Sequence, residues 1–132
     1  MPISPEMNIA TRDTFLTTVD DKFTTLVTDI DATIRAVSSD LEGYIIYKML
    51  TYRVGHKRND WLIAIDARGT KCVTLRFFKG VHILDTERLL RLGTTTIGNL
   101  DFTTSITPGD SARISDFTKQ AIAWRAHEAS QK

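Results

Sequence analysis

From Asp13 to Val37 the residues Leu16, Val19, Phe23, Leu26, Val27, Ile30, Ile34 and Val37 recur at steps of three and four. At 100° per residue such steps lay one narrow apolar stripe along a helix, so the pattern predicts a long amphipathic helix. Ser38-Ser39-Asp40 interrupts it. Ser39 followed by Glu42 fits a capping box, which predicts a break and a second, shorter helix through Leu41, Ile45, Met49 and Leu50. Ahead of these, MPISPEM carries two prolines, each lacking a backbone donor and disfavouring helix in the residue before it. Residues 1–10 therefore read as a loose lead-in and residues 11–132 as a single domain.

The polar segment YRVGHKRND leads into WLIAIDARGTKCVTLRFFK, two apolar-rich runs around a turn at Gly69, which predicts a β-hairpin. A loop of odd length centred on Gly69 aligns Trp61 with Phe77, Ile63 with Leu75 and Ile65 with Val73. That register gives one uniformly apolar face and leaves Leu62, Ala64, Asp66, Cys72, Thr74, Arg76 and Phe78 on the other. Beyond Gly80, Asp85 or Thr86 can cap a short helix through Leu89 and Leu90 that stops at Gly93. Ile97, Leu100 and Phe102 form a further strand. The last helix opens at Thr107-Pro108-Gly109-Asp110 and buries Ile114, Phe117, Ala121 and Trp124. This order predicts an α+β fold: an antiparallel sheet with the N-terminal and C-terminal helices packed on one face.

Composition narrows the setting. A chain of 132 residues with 42% hydrophobic and 25% charged residues is in the range of one globular domain. A formal net charge of +1, with acids and bases spread along the chain, supplies no long-range field for a polyanion, so no nucleic-acid partner is expected. Neither a signal peptide nor a run approaching the ~20 apolar residues that span a bilayer is present, so no membrane partner is expected. One cysteine, Cys72, cannot form an intramolecular disulfide, and the expected location is the cytoplasm.

Candidate chemistry is sparse. His56, His82 and His127 stand apart, without the spacings that assemble metal ligands. Cys72 has no C-x-x-C partner, Ser and Thr lie in no nucleophile motif, and no catalytic residue is assigned. The basic cluster Arg53, His56, Lys57 and Arg58 lacks interleaved aromatics and reads as a solubilising turn. What remains is Phe78, adjacent to Phe77 in a strand and so on the opposite face. With Arg76, Lys79, Tyr47 and Tyr52 it is expected to rim a small-ligand pocket, a partner-binding patch or a homodimer contact. The alternative is that the segment around Leu89 and Leu90 folds over it.

The runs LTY after Tyr47, VTLRFFKG, LDTERLLRLG, and a terminal helix reaching QA resemble the widespread bacterial domain family of unknown function typified by YdhG. The resemblance covers about residues 20 to 125, a single-domain length. It implies a frataxin-like α+β fold, and some relatives are described as iron chaperones. By that analogy iron would be held on the first helix, where the adjacent Asp20 and Asp21 are the candidate pair. Asp31 is eleven residues from Asp20, ~16 Å along a helix, and cannot share their ion. Helical neighbours point about 100° apart, so a solvated acidic face is the competing reading. The function expected is a non-enzymatic binding domain, iron-chaperone-like or partner-binding. The alternative is a small-molecule sensor or enzyme using an aromatic-rimmed pocket between the second helix and the hairpin.

Overall fold

The computed structural model describes residues 5–54, 61–92 and 96–130. Pro5 stands at the first position of helix α1 (Pro5–Leu16), where a missing N–H forfeits no helical bond. Residues 5–10, expected to be a loose lead-in, are therefore helical. The expected long helix is divided. The hydroxyls of Thr17 and Thr18 donate back to the carbonyls of Thr14 and Phe15, both at 2.7 Å, and end α1. Asp20 then accepts from the Lys22 N–H and starts a 3-10 turn over Asp21–Phe23, which runs into α2 (Thr24–Arg35). From Val19 to Ile34 the expected stripe survives the break, with Val19, Phe23, Leu26, Val27, Ile30 and Ile34 buried in one core; at its ends Leu16 and Val37 are only partly buried, and Phe15 takes the core position expected of Leu16.

The expected second helix is a hairpin instead. β1 (Glu42–Ile46) and β2 (Met49–Arg53) pair antiparallel, with Ile46 opposite Met49. Between them Tyr47 and Lys48 both adopt positive φ, 50° and 64°. Two left-handed residues in a two-residue loop match the twist of the flanking strands. Once Gly43, Tyr44, Ile45 and Ile46 extend, the four-residue spacing of Leu41, Ile45 and Met49 loses its helical meaning.

β3 (Trp61–Asp66) and β4 (Val73–Phe77) form the expected hairpin, with the expected faces except at Trp61 and a register displaced by two residues. Ile63 lies opposite Phe77 and Ile65 opposite Leu75, so Trp61 does not face Phe77. An even displacement preserves the inward set, and Ile63, Ile65, Val73, Leu75 and Phe77 are completely buried. The expected short helix through Leu89 and Leu90 is an irregular loop, because the Asp85 carboxylate takes the N–H groups of Leu89 and Leu90 at 3.0 and 2.7 Å. β5 (Arg91–Leu92) and β6 (Gly98–Phe102) complete a six-stranded antiparallel sheet in the order β1-β2-β3-β4-β6-β5. The last helix, α3 (Pro108–Ser130), begins as expected. Thr107 Oγ1 accepts from the Asp110 N–H, and the Asp110 carboxylate accepts from the Thr107 N–H. Gly55, His56, Lys57, Arg58, Asn59, Gly93, Thr94 and Thr95 lie outside the described residues.

The fold is thus α+β. Phe77 meets Phe117 of α3 edge-on at 5.8 Å, and Tyr52 reaches Asp31 of α2, so both helices lie on the face carrying Leu50, Tyr52, Ile63, Ile65, Leu75 and Phe77. Trp124 of α3 stacks on His82 at 4.0 Å and fastens the turn after β4 to the helix. Helix α1 adds Phe15 to the same core and sends Asn8 to β1. There the Asn8 carboxamide donates to the Leu41 carbonyl at 3.1 Å and accepts from the Gly43 N–H at 3.0 Å. Among the described residues no helix is long and apolar enough to cross a membrane.

Among the described glycines, Gly80 has the least room for a side chain, facing the backbone of Gly98. A Cβ on Gly80 would stand 2.4 Å from the Gly98 nitrogen and 2.6 Å from its Cα, atoms that cannot rotate away. Gly80→Ala is expected to lower the unfolding free energy by about 1–3 kcal/mol in urea titrations. Gly109→Ala, where the new methyl meets the Thr107 hydroxyl at 3.6 Å, should leave the midpoint nearly unchanged.

Candidate functional site on the helix-free face of the sheet

Alternation along each strand sends every second side chain away from α2 and α3. On β1 and β2 these are Glu42, Tyr44, Thr51 and Arg53, since Gly43 pairs with the inward Tyr52 and Tyr44 with Thr51. On β4 and β6 they are Thr74, Arg76, Asn99 and Asp101. Trp61 joins this set through a register shift between Tyr52 and Arg53, which places it opposite Arg53. The result corrects the expectation that Trp61 belongs to the inward face.

Arg53 organises one end of this face. Its guanidinium carbon lies 4.7 Å from the Tyr44 ring centroid and 5.0 Å from that of Trp61, and the two rings meet edge-on at 5.7 Å. A guanidinium within about 6 Å of an aromatic face gains cation–π attraction, here from two rings at once. Glu42, almost fully buried, accepts from the Tyr44 hydroxyl at 2.9 Å and lies 3.8 Å from Arg53 Nε. At the other end, arginines and carboxylates alternate across strands. Arg76 donates to Asp66 at 2.9 Å and to Asn99 at 3.2 Å, and Arg68 grips the same carboxylate through two donors. Asp101 accepts from Thr74 at 2.7 Å and from Arg91 at 3.1 and 3.2 Å. Between the two ends Thr51 and Ala64 are fully buried.

The residues expected to form a rim are not brought together. Arg76 and Phe78 share this outward face, with Phe78 half-buried, and Lys79 is exposed just beyond the strand. Tyr47 is 84% exposed at the tip of the β1–β2 turn. The register puts that tip near Asp66, at the far end of the sheet from Phe78, which pairs with Leu62. Tyr52 points into the core, because its neighbours Thr51 and Arg53 take the outward positions. With a hairpin in place of the second helix, the pocket expected between that helix and the β3–β4 hairpin has no wall. Asp20 and Asp21 are exposed, and Asp20 serves as a turn cap rather than lying on a helix with its neighbour. Among the described residues no three His, Cys, Asp or Glu side chains converge as a metal-ion ligand set. Glu42, Tyr44, Arg53, Trp61 and Asp66 are the residues that sequence reasoning missed as a group. Period-two alternation over Glu42–Ile46 was the available signal for the first two, while the bulge that turns Trp61 outward has no residue signature.

Behind the sheet, Tyr52 donates to Asp31 at 2.6 Å, and Arg35 donates to the other oxygen of that carboxylate at 2.6 and 2.9 Å. Burial, followed by the charge of Asp31, pushes the Tyr52 hydroxyl well above its ordinary range and keeps it a donor. This network fixes α2 over β2 and thereby the strand that carries Arg53. Comparison of the chain with protein-family models, curated proteins and solved structures gives no match.

Removing the hydroxyl leaves a buried Asp31 oxygen without its donor. Tyr52→Phe should therefore destabilise the protein by about 1–3 kcal/mol by urea titration. On the outer face, Arg68 first and then Arg76 hold Asp66 well below the ordinary carboxylate range, against the upward pull of burial. For Asp101 burial again raises the value, but hydrogen bonds from Arg91 and Thr74 outweigh it and the net shift is downward. Lowered folded values mean that the stabilisation is complete above the ordinary carboxylate value of about 4 and drains away as pH falls through the folded values. The urea midpoint of the protein should fall between about pH 5 and 2. The double variant Asp66→Asn/Asp101→Asn should start lower at neutral pH and fall less steeply.

Proposed function

We propose that the chain is a non-catalytic cytoplasmic binding module that receives a partner protein on the helix-free face of its sheet, with Tyr44, Arg53 and Trp61 at the centre. The observation that carries this reading is the Arg53 guanidinium held against both rings on a face with no helix over it among the described residues. Tyr, Trp and Arg are the side chains that most often dominate protein–protein binding energy. Here they already pack on one another, so less rotamer freedom is lost when a partner arrives. The ion pairs of Asp66 with Arg68 and Arg76, and of Asp101 with Arg91, neutralise one another within the chain. A covering protein surface would strand no charge there. Nucleic acid fits less well, since phosphate binding draws on unneutralised basic stripes. The resemblance to YdhG-like domains accords with a small binding domain. Its iron-chaperone branch would call on Asp20 and Asp21, and among the described residues no third ligand-bearing side chain joins them.

Photo-crosslinking in cells that make the protein tests the proposal. A benzophenone amino acid in place of Tyr44 should give a discrete protein adduct that the same label at Thr25, exposed on α2, does not give. Adding Trp61→Ala should abolish the adduct with the circular dichroism spectrum unchanged. Equal labelling from Thr25, or an adduct indifferent to Trp61, would remove the reading.

A further inference from the structure

The turn between β1 and β2 is built from residues that suit it poorly. A two-residue loop with positive φ at both positions is least strained with asparagine or aspartate followed by glycine, because a larger side chain brings its Cβ against the neighbouring carbonyl. Here the positions hold Tyr47 at φ 50° and Lys48 at φ 64°. Nothing inside the chain offsets that strain. Tyr47 is 84% exposed, so its ring gains little from burial, and Lys48 is exposed with no ion pair among the described residues. Side chains held at strained backbone positions without internal contacts to support them belong to the class found at recognition and switch sites.

The tip is also continuous with the helix-free face. Alternation from Tyr44 sends Ile46 outward, with Met49 opposite it, and both are half-buried. An apolar strip therefore runs from Trp61 and Tyr44 through Ile46 and Met49 to Tyr47. Tyr47 lies three residues from Tyr44, about 10 Å at the rise of an extended chain. A contact of about 800 Å² per partner, usual for stable complexes, spans that distance. Beside the tip, Asp66 is paired with Arg68 and Arg76 within the chain, which leaves Lys48 as the charge that the tip presents.

We infer that Tyr47 is a specificity-determining contact for the partner protein received on the helix-free face: its ring enters an apolar cleft of that protein, and Lys48 meets a carboxylate at the border of the cleft. The inference rests on the reading of that face as the partner surface and adds what the partner must carry. An exposed ring on a turn is buried most completely by a recess, and the one unpaired cation beside it selects an acidic border. Tyrosine brings a large contact area with only two side-chain torsions to order. The paired strands on either side fix its backbone before contact, which lowers the ordering cost of association.

Photo-crosslinking from position 44, in cells that make the full chain, tests the inference when run with and without the double change Tyr47→Asn/Lys48→Gly. The Asn-Gly turn should raise the urea midpoint of the purified protein, because the strain is relieved, and yet lower the adduct roughly 10-fold or more, as loss of a dominant interface side chain does. Lys48→Glu should lower the adduct without raising the midpoint. A benzophenone amino acid in place of Tyr47 should label the same protein as one in place of Tyr44, as identified by mass spectrometry. An adduct undiminished by either change, a midpoint that falls with the Asn-Gly turn, or different proteins labelled from the two positions would overturn the inference and leave the Tyr44, Arg53 and Trp61 surface standing. No adduct from position 44 in the otherwise unaltered chain would instead remove the underlying reading, and the inference with it. Binding of the wild type to phosphatidylglycerol vesicles, lost with the Asn-Gly turn, would assign the tip to a lipid surface and also overturn the inference.

Discussion

The irregularity between Tyr52 and Arg53 is the constraint on which the two sides of the sheet depend. Tyr52 must point inward, where its hydroxyl meets the buried Asp31, and strict alternation then sends Arg53 outward. Had the pairing with β3 continued in register, Trp61 would have followed Ile63 and Ile65 toward the helices. The shift places Trp61 opposite Arg53, where the indole can receive the guanidinium. One backbone adjustment therefore lets β2 anchor a helix on one side and assemble an aromatic cluster on the other. Bulges are found where a strand must re-aim a side chain, and this one re-aims the largest side chain in the sheet.

Two carboxamides do comparable work in different places. Asn8 bonds Leu41 and Gly43 as a neighbouring strand would, and Gln120 does the same for the two polar groups of Leu84. In each case a helix side chain with one donor and one acceptor completes backbone that lacks a strand beside it. The first ties α1 to the sheet. The second makes a loop rigid enough to hold an exposed leucine.

How much of this was legible follows from what each feature depends on. The stripe from Val19 to Ile34 was readable because burial demands it whether the helix is whole or broken, but the break rests on Thr17 and Thr18 bonding back to the chain, and ahead of it Phe15 rather than Leu16 is the core residue. Apart from Trp61, which the bulge turns outward, the inward and outward sets of the β3–β4 hairpin were readable from alternation alone. Their register was not, since the turn centres on Thr70 rather than Gly69, a difference without hydrophobic consequence. Residues 41–53 were misread because Leu41, Ile45 and Met49 suit a helix, while the turn that makes them a hairpin uses Tyr47 and Lys48 at positive φ instead of glycine or asparagine. That error hid Glu42 and Tyr44 from the site and drew Tyr52 into it. Arg76 and Phe78 were placed on the correct face because alternation was all that their placement required.

The clasp of Asn8 on β1 also has a bearing on how the molecule fails. Tyr44, Ile45 and Ile46 form a run that extends readily, and Ile45 is 42% exposed on the outermost strand. A nick in the Thr17–Asp20 connection that released α1 would bare the peptide groups of Leu41 and Gly43, whose best complement is the same row on another molecule. Growth by that route has no built-in stopping point. The N-terminal helix is in this sense a guard against fibrils as well as part of the core.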